Sequence, residues 1–458
     1  MAYLGLIFVI VAMASFQPAW MSNDILLWSM IVSSIALAPG ARWLQRSEKE
    51  VPFAGAIGLF YFAWYVLPLF TRDDYEVESV TSETLIMVSA GLLLMGLGWL
   101  SSSFALKGVS LPSFEYSSRG LSALWVVGLA AGFVVYWNAF NLNVGFVRSL
   151  PGVFHTFMVY AHLFGIVILT DYCWSGEVKI FRVIFAGLIA MDYLVEFNSG
   201  LLSHVLVILV AQLAWLLWRF RLSLATVVIA GSLIIPTLVA TQNVKFYFRQ
   251  QVWMSDTEFS EAEKLEIWRQ GFESLGDNDS LIDDSLDATA SRTSAIDVYQ
   301  QTRDLVPDLV PYDEETTVLM SFLGWIPRAF WPDKPASGAG NRFGREMGLL
   351  SPDNFTTSLN TPWFADLHWS FGDIGVLFGL AIAGIVLGSL NRVINRPGMN
   401  LIDLAILIGL IWPRLIFHES AIAMALGPLP LVISLFFLIR YWAFALSNLD
   451  GVAKGNSS

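Results

Sequence analysis

Long apolar runs, separated by short polar stretches, dominate the chain. They lie near residues 3–16, 24–40, 52–70, 83–105, 119–137, 152–171, 180–196, 199–217 and 222–242, and again near 370–390, 400–417 and 420–446. Several approach the ~20 residues that a helix needs to cross the hydrocarbon of a bilayer. A β-barrel would read instead as short alternating segments. The pattern predicts an all-α polytopic membrane protein with about twelve transmembrane helices. It divides the chain into an N-terminal bundle of about nine spans over 1–242, a large polar loop over 243–369, and about three C-terminal spans over 370–458.

Charge placement orients this pattern. Lys and Arg gather in alternate loops: "ARWLQRSEKE" after the second run, Lys107 and Arg119, "GEVKIFR", "WRFRL", and Arg392 with Arg396. The loops between them, such as "TRDDYEVESVTSE", "EFNSG" and "FHES", are acidic or lack basic residues apart from Arg72 and Arg148. The positive-inside rule then places both termini in the cytoplasm and the long loop outside. The first run lacks a basic start and a small-residue cleavage site, so it reads as a retained span rather than a signal peptide. Charged residues make up 14% of the chain and the mean hydropathy is +0.61, against about 25% charged in soluble chains. The single Cys173 excludes a disulfide framework or a thiolate metal site within one chain.

The long outer segment carries most of the net charge of -12. Its acidic first half, "DTEFSEAEKLEIWRQGFESLGDNDSLIDDSLD", contains Leu265, Trp268, Phe272 and Leu275 at helical spacing, with Ser260 and Glu263 placed as a capping box. "DNDSLIDD" lacks the spacing and the glycine of a calcium loop and reads as a solvated turn. A second helix is expected over Ser291–Val306, with Arg292, Ile296, Tyr299 and Arg303 on one face. The apolar "TTVLMSFLGWIPRAF" is short for a span and reads as re-entrant or interfacial. "GAGNRFG" (Gly338–Gly344) follows no strand; it reads as a flexible glycine loop rather than a nucleotide site.

Arg249, Arg292, Arg303, Arg328, Lys334, Arg342 and Arg345 all fall in this outer segment, where basic residues are disfavoured. Guanidinium forks bind phosphate bidentately and lysine supplies a point charge, so the set suits an anionic ligand at the interface. Snorkelling to ordinary lipid phosphates, with Trp325 and Trp331 as belt residues, is the plainer alternative. No paired-histidine motif is present, so no metal site is expected. His368, in "FADLHWSFGD" ahead of the tenth run, is the first candidate for a general base, and Asp366 is its rival. His155 and His162 share one run. Asp192 and His204 are ionisable groups inside others, where charge is expensive.

Two stretches carry a family resemblance: "GWIPRAFWPDKP" (Gly324–Pro335) and "TTSLNTPWFADLHWSFGDIGVLFGLAIAGIVLG" (Thr356–Gly388). They resemble Wzy-type oligosaccharide repeat-unit polymerases of the O-antigen and exopolysaccharide group. The serine-arginine pair of many relatives is absent, and "EFNSGLLSH" (Glu196–His204) stands in its place; Arg249 or Arg328 would supply that charge. The resemblance implies an inverting, metal-independent glycosyltransferase of GT-C type, without a cofactor, in the bacterial inner membrane. Its substrates would be undecaprenyl-pyrophosphate-linked oligosaccharides, met at the periplasmic face among membrane lipid, with a chain-length regulator protein as partner and no nucleic acid. Arg328, Lys334 and Arg249, with Arg292, Arg303 and Arg345, would neutralise the pyrophosphate. His368 or Asp366 would take the acceptor proton, and Trp331 would stack on sugar. A glycan ligase uses the same donor chemistry and is the nearest alternative. A transporter would instead place its charged site near the bilayer midplane.

Overall fold

The structure is a computed structural model. It describes the chain apart from residues 1, 46–50, 73–74, 107–120, 149–151, 200–201, 221–240, 242–243, 246, 250, 253–258, 275–293, 314–316, 327–329, 335–338, 396–398, 412–415, 417 and 456–458. Every regular element among the described residues is a helix. Six helical stretches are long and apolar enough to cross a membrane: Asn23–Gln45, Phe53–Thr71, Ser82–Ser102, Ala123–Asn141, Trp363–Ile394 and Ile422–Ala445. The expected run at 222–242 lies almost wholly outside the described residues, as does "DNDSLIDD".

Contacts gather the chain into two compact units. The first joins Met1–Leu111, Ala290–Pro397 and Trp412–Leu435; the second joins Pro112–Thr289, Gly398–Ile411 and Phe436–Ser458. In the first unit, α1 (Ala2–Ser15), α2 (Asn23–Gln45), α3 (Phe53–Tyr65) and α4 (Ser82–Ala105) come from the N-terminal run of spans. The second unit holds α5 (Leu121–Asn141), α6 (Gly152–Ser175), α7 (Lys179–Asn198), α8 (Leu202–Arg219) and α9 (Glu261–Ser274). The first unit also contains α10 (Ile296–Leu305), α11 (Gly340–Glu346), α12 (Trp363–Ile394) and the helical turns from Ile422 onward.

The central pairing of the first unit is α4 against α12, and small residues make it. A Cβ added at Gly98 would run into the Ala381 carbonyl, and one at Gly384 into the Met95 carbonyl. At Gly388 it would lie 2.7 Å from the Trp99 carbonyl oxygen, and at Gly91 2.7 Å from Leu380. These pairs advance together along both helices, so α4 and α12 run parallel. Lipid offers no hydrophobic drive between apolar helices, and close backbone approach at small residues supplies the packing. Beyond Gly372, the opposite face of α12 presents Ile374, Phe378, Ile382 and Ile385 outward. That spacing of three and four is a continuous apolar stripe suited to lipid.

Local signals in the outer segment form as expected where they are self-contained. The Ser260 N–H donates to Glu263 Oε2 at 2.8 Å and the Glu263 N–H donates back to Ser260 Oγ at 3.3 Å, so the capping box caps α9. Trp268 is buried against Phe248 and Phe197, and Gly271 is buried beside it, whereas Leu265 and Phe272 of the expected apolar face are exposed. "TTVLMSFL" forms two short pieces, Thr317–Leu319 and Met320–Leu323, far too short to span.

Three expectations shift. α10 is observed over Ile296–Leu305 rather than Ser291–Val306. The glycine-rich stretch is helical from Gly340 onward, because Gly340 is pressed against the Leu359 carbonyl and a side chain there would collide. α12 begins at Trp363, seven residues before the expected 370, so His368 and Asp366 lie within a helix and not in a loop. The Trp363 N–H donates to the His418 carbonyl at 3.1 Å, and the Trp363 and His418 rings stack 3.7 Å apart. This long-range cap starts the helix early.

Replacing Gly384 with Leu is expected to destabilise the protein by at least the ~1–3 kcal/mol of ordinary overpacking, read as a lower melting temperature in detergent. Gly96→Leu is the control, since a Cβ there meets nothing within 4 Å.

Candidate functional site

The polar residues of the first unit converge where α10 meets the beginnings of α4 and α12. Residues 363–370 of α12 are all buried. Helical geometry then breaks at Gly372, with φ 64 and ψ -157. Residues five apart on a continuous helix point about 140° apart. The break instead brings Asp373 back to His368, with Oδ1 3.1 Å from Nδ1. That contact is close but off the line of a straight hydrogen bond. On the other side of the ring, Nε2 lies 3.4 Å from the Val306 carbonyl. The imidazole therefore sits between two acceptors, with its Nε2 proton directed at the carbonyl and Nδ1 at the carboxylate.

Arg303 completes the group. Its Nη2 is 3.5 Å from Asp373 Oδ2 and its Nη1 donates to Thr84 Oγ1 at 3.2 Å. Gln300, one turn earlier, accepts from the Thr84 hydroxyl at 2.6 Å and from the Thr81 N–H at 3.0 Å, fixing α10 to the start of α4. Arg72 makes a second tie, 2.7 Å from Asp297 and 3.0 Å from Glu76. Tyr299 is fully buried between Phe364 and His368, and burial pushes its phenol well above the usual range. It is a wall of the site.

The two carboxylates near His368 differ in access. Asp373 has a side chain 43% exposed. Asp366 is buried, and its Oδ2 accepts the Ile422 N–H at 2.8 Å. Asp366 thus supports the backbone of the helical turn that starts at Ile422, while Asp373 is the one open to a ligand. Behind them, Arg342 pairs with Asp313 at 2.6 Å and lies 4.6 Å over the Trp369 ring.

The structure brings His368, Asp366 and Arg303 into one neighbourhood. The remaining sequence candidates have other surroundings. Lys334 donates to the carbonyls of Gly324 and Ile326 at 2.6 and 3.1 Å, bracing the turn that contains Trp325. Arg345 donates to Asn341 at 3.1 Å and covers the Phe355 ring at 4.4 Å. Trp331 is half-buried, and its carbonyl accepts the Lys334 N–H. Arg249 is half-buried in the second unit. Arg292 and Arg328 lie outside the described residues. Sequence reasoning passed over Asp373, Thr84 and Gln300; the one available signal was the Gly372–Asp373 pair itself.

Fold and site together define a helical, membrane-embedded protein with a compact carboxylate–imidazole–guanidinium group at the broken end of a long apolar helix. The chain belongs to the family described as a domain of unknown function, DUF8712, whose profile matches residues 126–396. That span takes in Arg303, His368 and Asp373. No curated protein and no solved structure matches the chain.

Gly372→Ala is expected to cost about 1–2 kcal/mol, because an L-residue is strained at this positive φ and its Cβ would lie 3.0 Å from the Tyr312 hydroxyl. Thermal unfolding in detergent checks the value, and Gly372→Asn is expected to lose at least as much, since this φ/ψ combination is open essentially to glycine alone.

Proposed function

We propose that this protein joins lipid-linked oligosaccharide repeat units, acting as an inverting glycosyltransferase of GT-C type at the periplasmic face of the bacterial inner membrane. In this reading the chain crosses the membrane twelve times with both termini in the cytoplasm. The observation that carries the proposal is Asp373: an accessible carboxylate, backed by His368 and flanked by Arg303, at the end of a long apolar helix. The resemblance of Gly324–Pro335 and Thr356–Gly388 to repeat-unit polymerases supports the substrate class.

The chemistry is a single displacement. The Asp373 carboxylate takes the proton of an acceptor sugar hydroxyl, and the His368 Nδ1 lone pair beside it is placed to share that proton. The hydroxyl oxygen attacks the donor anomeric carbon. The bond from that carbon to the pyrophosphate oxygen breaks, and undecaprenyl pyrophosphate leaves with the electron pair and inverted stereochemistry at the carbon. Arg328, with Arg292, is the cation proposed to take up the charge of the leaving group. Arg303, 3.5 Å from Oδ2 of Asp373, pairs with that carboxylate in this reading. Lys334 and Arg345 shape the surrounding turns through the contacts they already make.

Purified protein given synthetic lipid-linked repeat units, without nucleotide, is expected to yield a ladder of products. Asp373→Asn is expected to slow the ladder about 10²–10⁴-fold, the usual contribution of a positioned base, with normal membrane insertion. Arg328→Ala should also lose activity. No ladder with the native repeat unit, or an unchanged rate in Asp373→Asn, overturns the reading.

A further inference from the structure

The second unit contains a polar group that glycan transfer does not use. α7 is inside out relative to a helix in water: Ile180, Ile184, Met191 and Leu194 are exposed, whereas Asp192, Glu196 and Asn198 are buried. Asp192 is 0% exposed. Its Oδ2 lies 2.8 Å from Nε2 of His162 on α6, a ring that is itself buried. Its other oxygen, Oδ1, has no hydrogen-bond donor among the described residues. Trp137 on α5 stacks on the His162 ring at 5.4 Å and 26°. The same indole N–H donates to Glu196 Oε1, which also accepts from Asn141 at 3.0 Å.

The neighbouring charged and polar groups have their own partners. On α8, Gln212 accepts from Tyr193 at 2.7 Å and donates to Thr170 at 3.2 Å. Asp171 on α6 accepts from Trp215 and Ser175. Asp403 is paired with Arg440 at 2.8 Å. α9 presents Trp268 toward Phe197. Lys245 and Arg249 belong to the segment that packs through Val244 and Phe248 on that tryptophan.

We propose that His162 and Asp192 form a proton-binding site inside the membrane domain, linked through Trp137 to Glu196. An ionisable group in this setting is expensive, and it persists where it has a partner and a task. A neutral imidazole beside a carboxylate leaves the pair with one negative charge in a medium of low dielectric. One added proton cancels that charge. It rests on the Asp192 carboxyl at Oδ1, which has no donor among the described residues, while the neutral imidazole donates its Nε2 proton to Oδ2 across 2.8 Å. The ligand is the proton itself, and the site is independent of the glycan-transfer reading.

Infrared difference spectroscopy of the full chain in lipid nanodiscs during a pH step tests this. The expected result is a carboxylic-acid C=O component that exchanges slowly in D2O, unlike that of exposed aspartates. It should move to lower frequency when the protein carries carboxyl-13C aspartate. It should be lost in Asp192→Asn, retained in Glu196→Gln, and displaced in pH in His162→Gln. The isotope label requires no substitution, so it reads the native fold even if Asp192→Asn does not fold. Absence of a slowly exchanging aspartate component overturns the proposal, as does its survival in Asp192→Asn. The same spectral change produced by sodium at constant pH would also overturn it, in favour of a metal-cation site.

Discussion

The close approach of α4 and α12 is the contact on which the first unit rests. Two backbones meet at Gly91, Gly98, Gly384 and Gly388 with no room for side chains between them. That contact fixes the axial register of both helices, because each glycine has its own carbonyl or side chain opposite. Register in turn sets the level at which the beginnings of the two helices end up. Thr81 and Thr84 at the start of α4 are therefore at the right height to hold Gln300 and Arg303 of α10. Asp373, just past the break in α12, is at the right height to meet the same arginine. The polar site is a product of helix packing well below it.

How much of this was legible in the sequence follows the range of the interactions involved. The apolar runs were readable because a span must satisfy its own backbone and face lipid, which writes one long signal into the chain. The cap at Ser260 and Glu263 was readable because its partners are three residues apart. The true start of α12 was not, since the carbonyl that caps Trp363 belongs to His418, fifty-five residues along. Asp366 and His368 looked alike as candidate bases. Only the tertiary structure shows one supporting the Ile422 backbone and the other bracketed by Val306 and Asp373. Lys334 was legible as an unusual outer cation, but its engagement with two nearby carbonyls depends on a turn that hydropathy does not encode.

The two units illustrate opposite uses of polarity. In the first, polar side chains collect at the end of a helix where one carboxylate remains open to solvent. In the second, they are turned inward along α7 and shielded by an apolar exterior. His162 and Asp192 lie thirty residues apart in the sequence, and Glu196 falls in the last turn of α7. Their association depends on three helices meeting, with one tryptophan touching both an imidazole and a carboxylate.

The parallel course of α4 and α12 has a topological consequence. Two helices that cross a bilayer in the same direction must be joined by a chain that returns to its starting side. The intervening stretch must therefore cross an odd number of times, whatever its detailed path. That requirement falls on the stretch between Ala105 and Trp363. The pieces Thr317–Leu319 and Met320–Leu323 are too short to add a crossing to it.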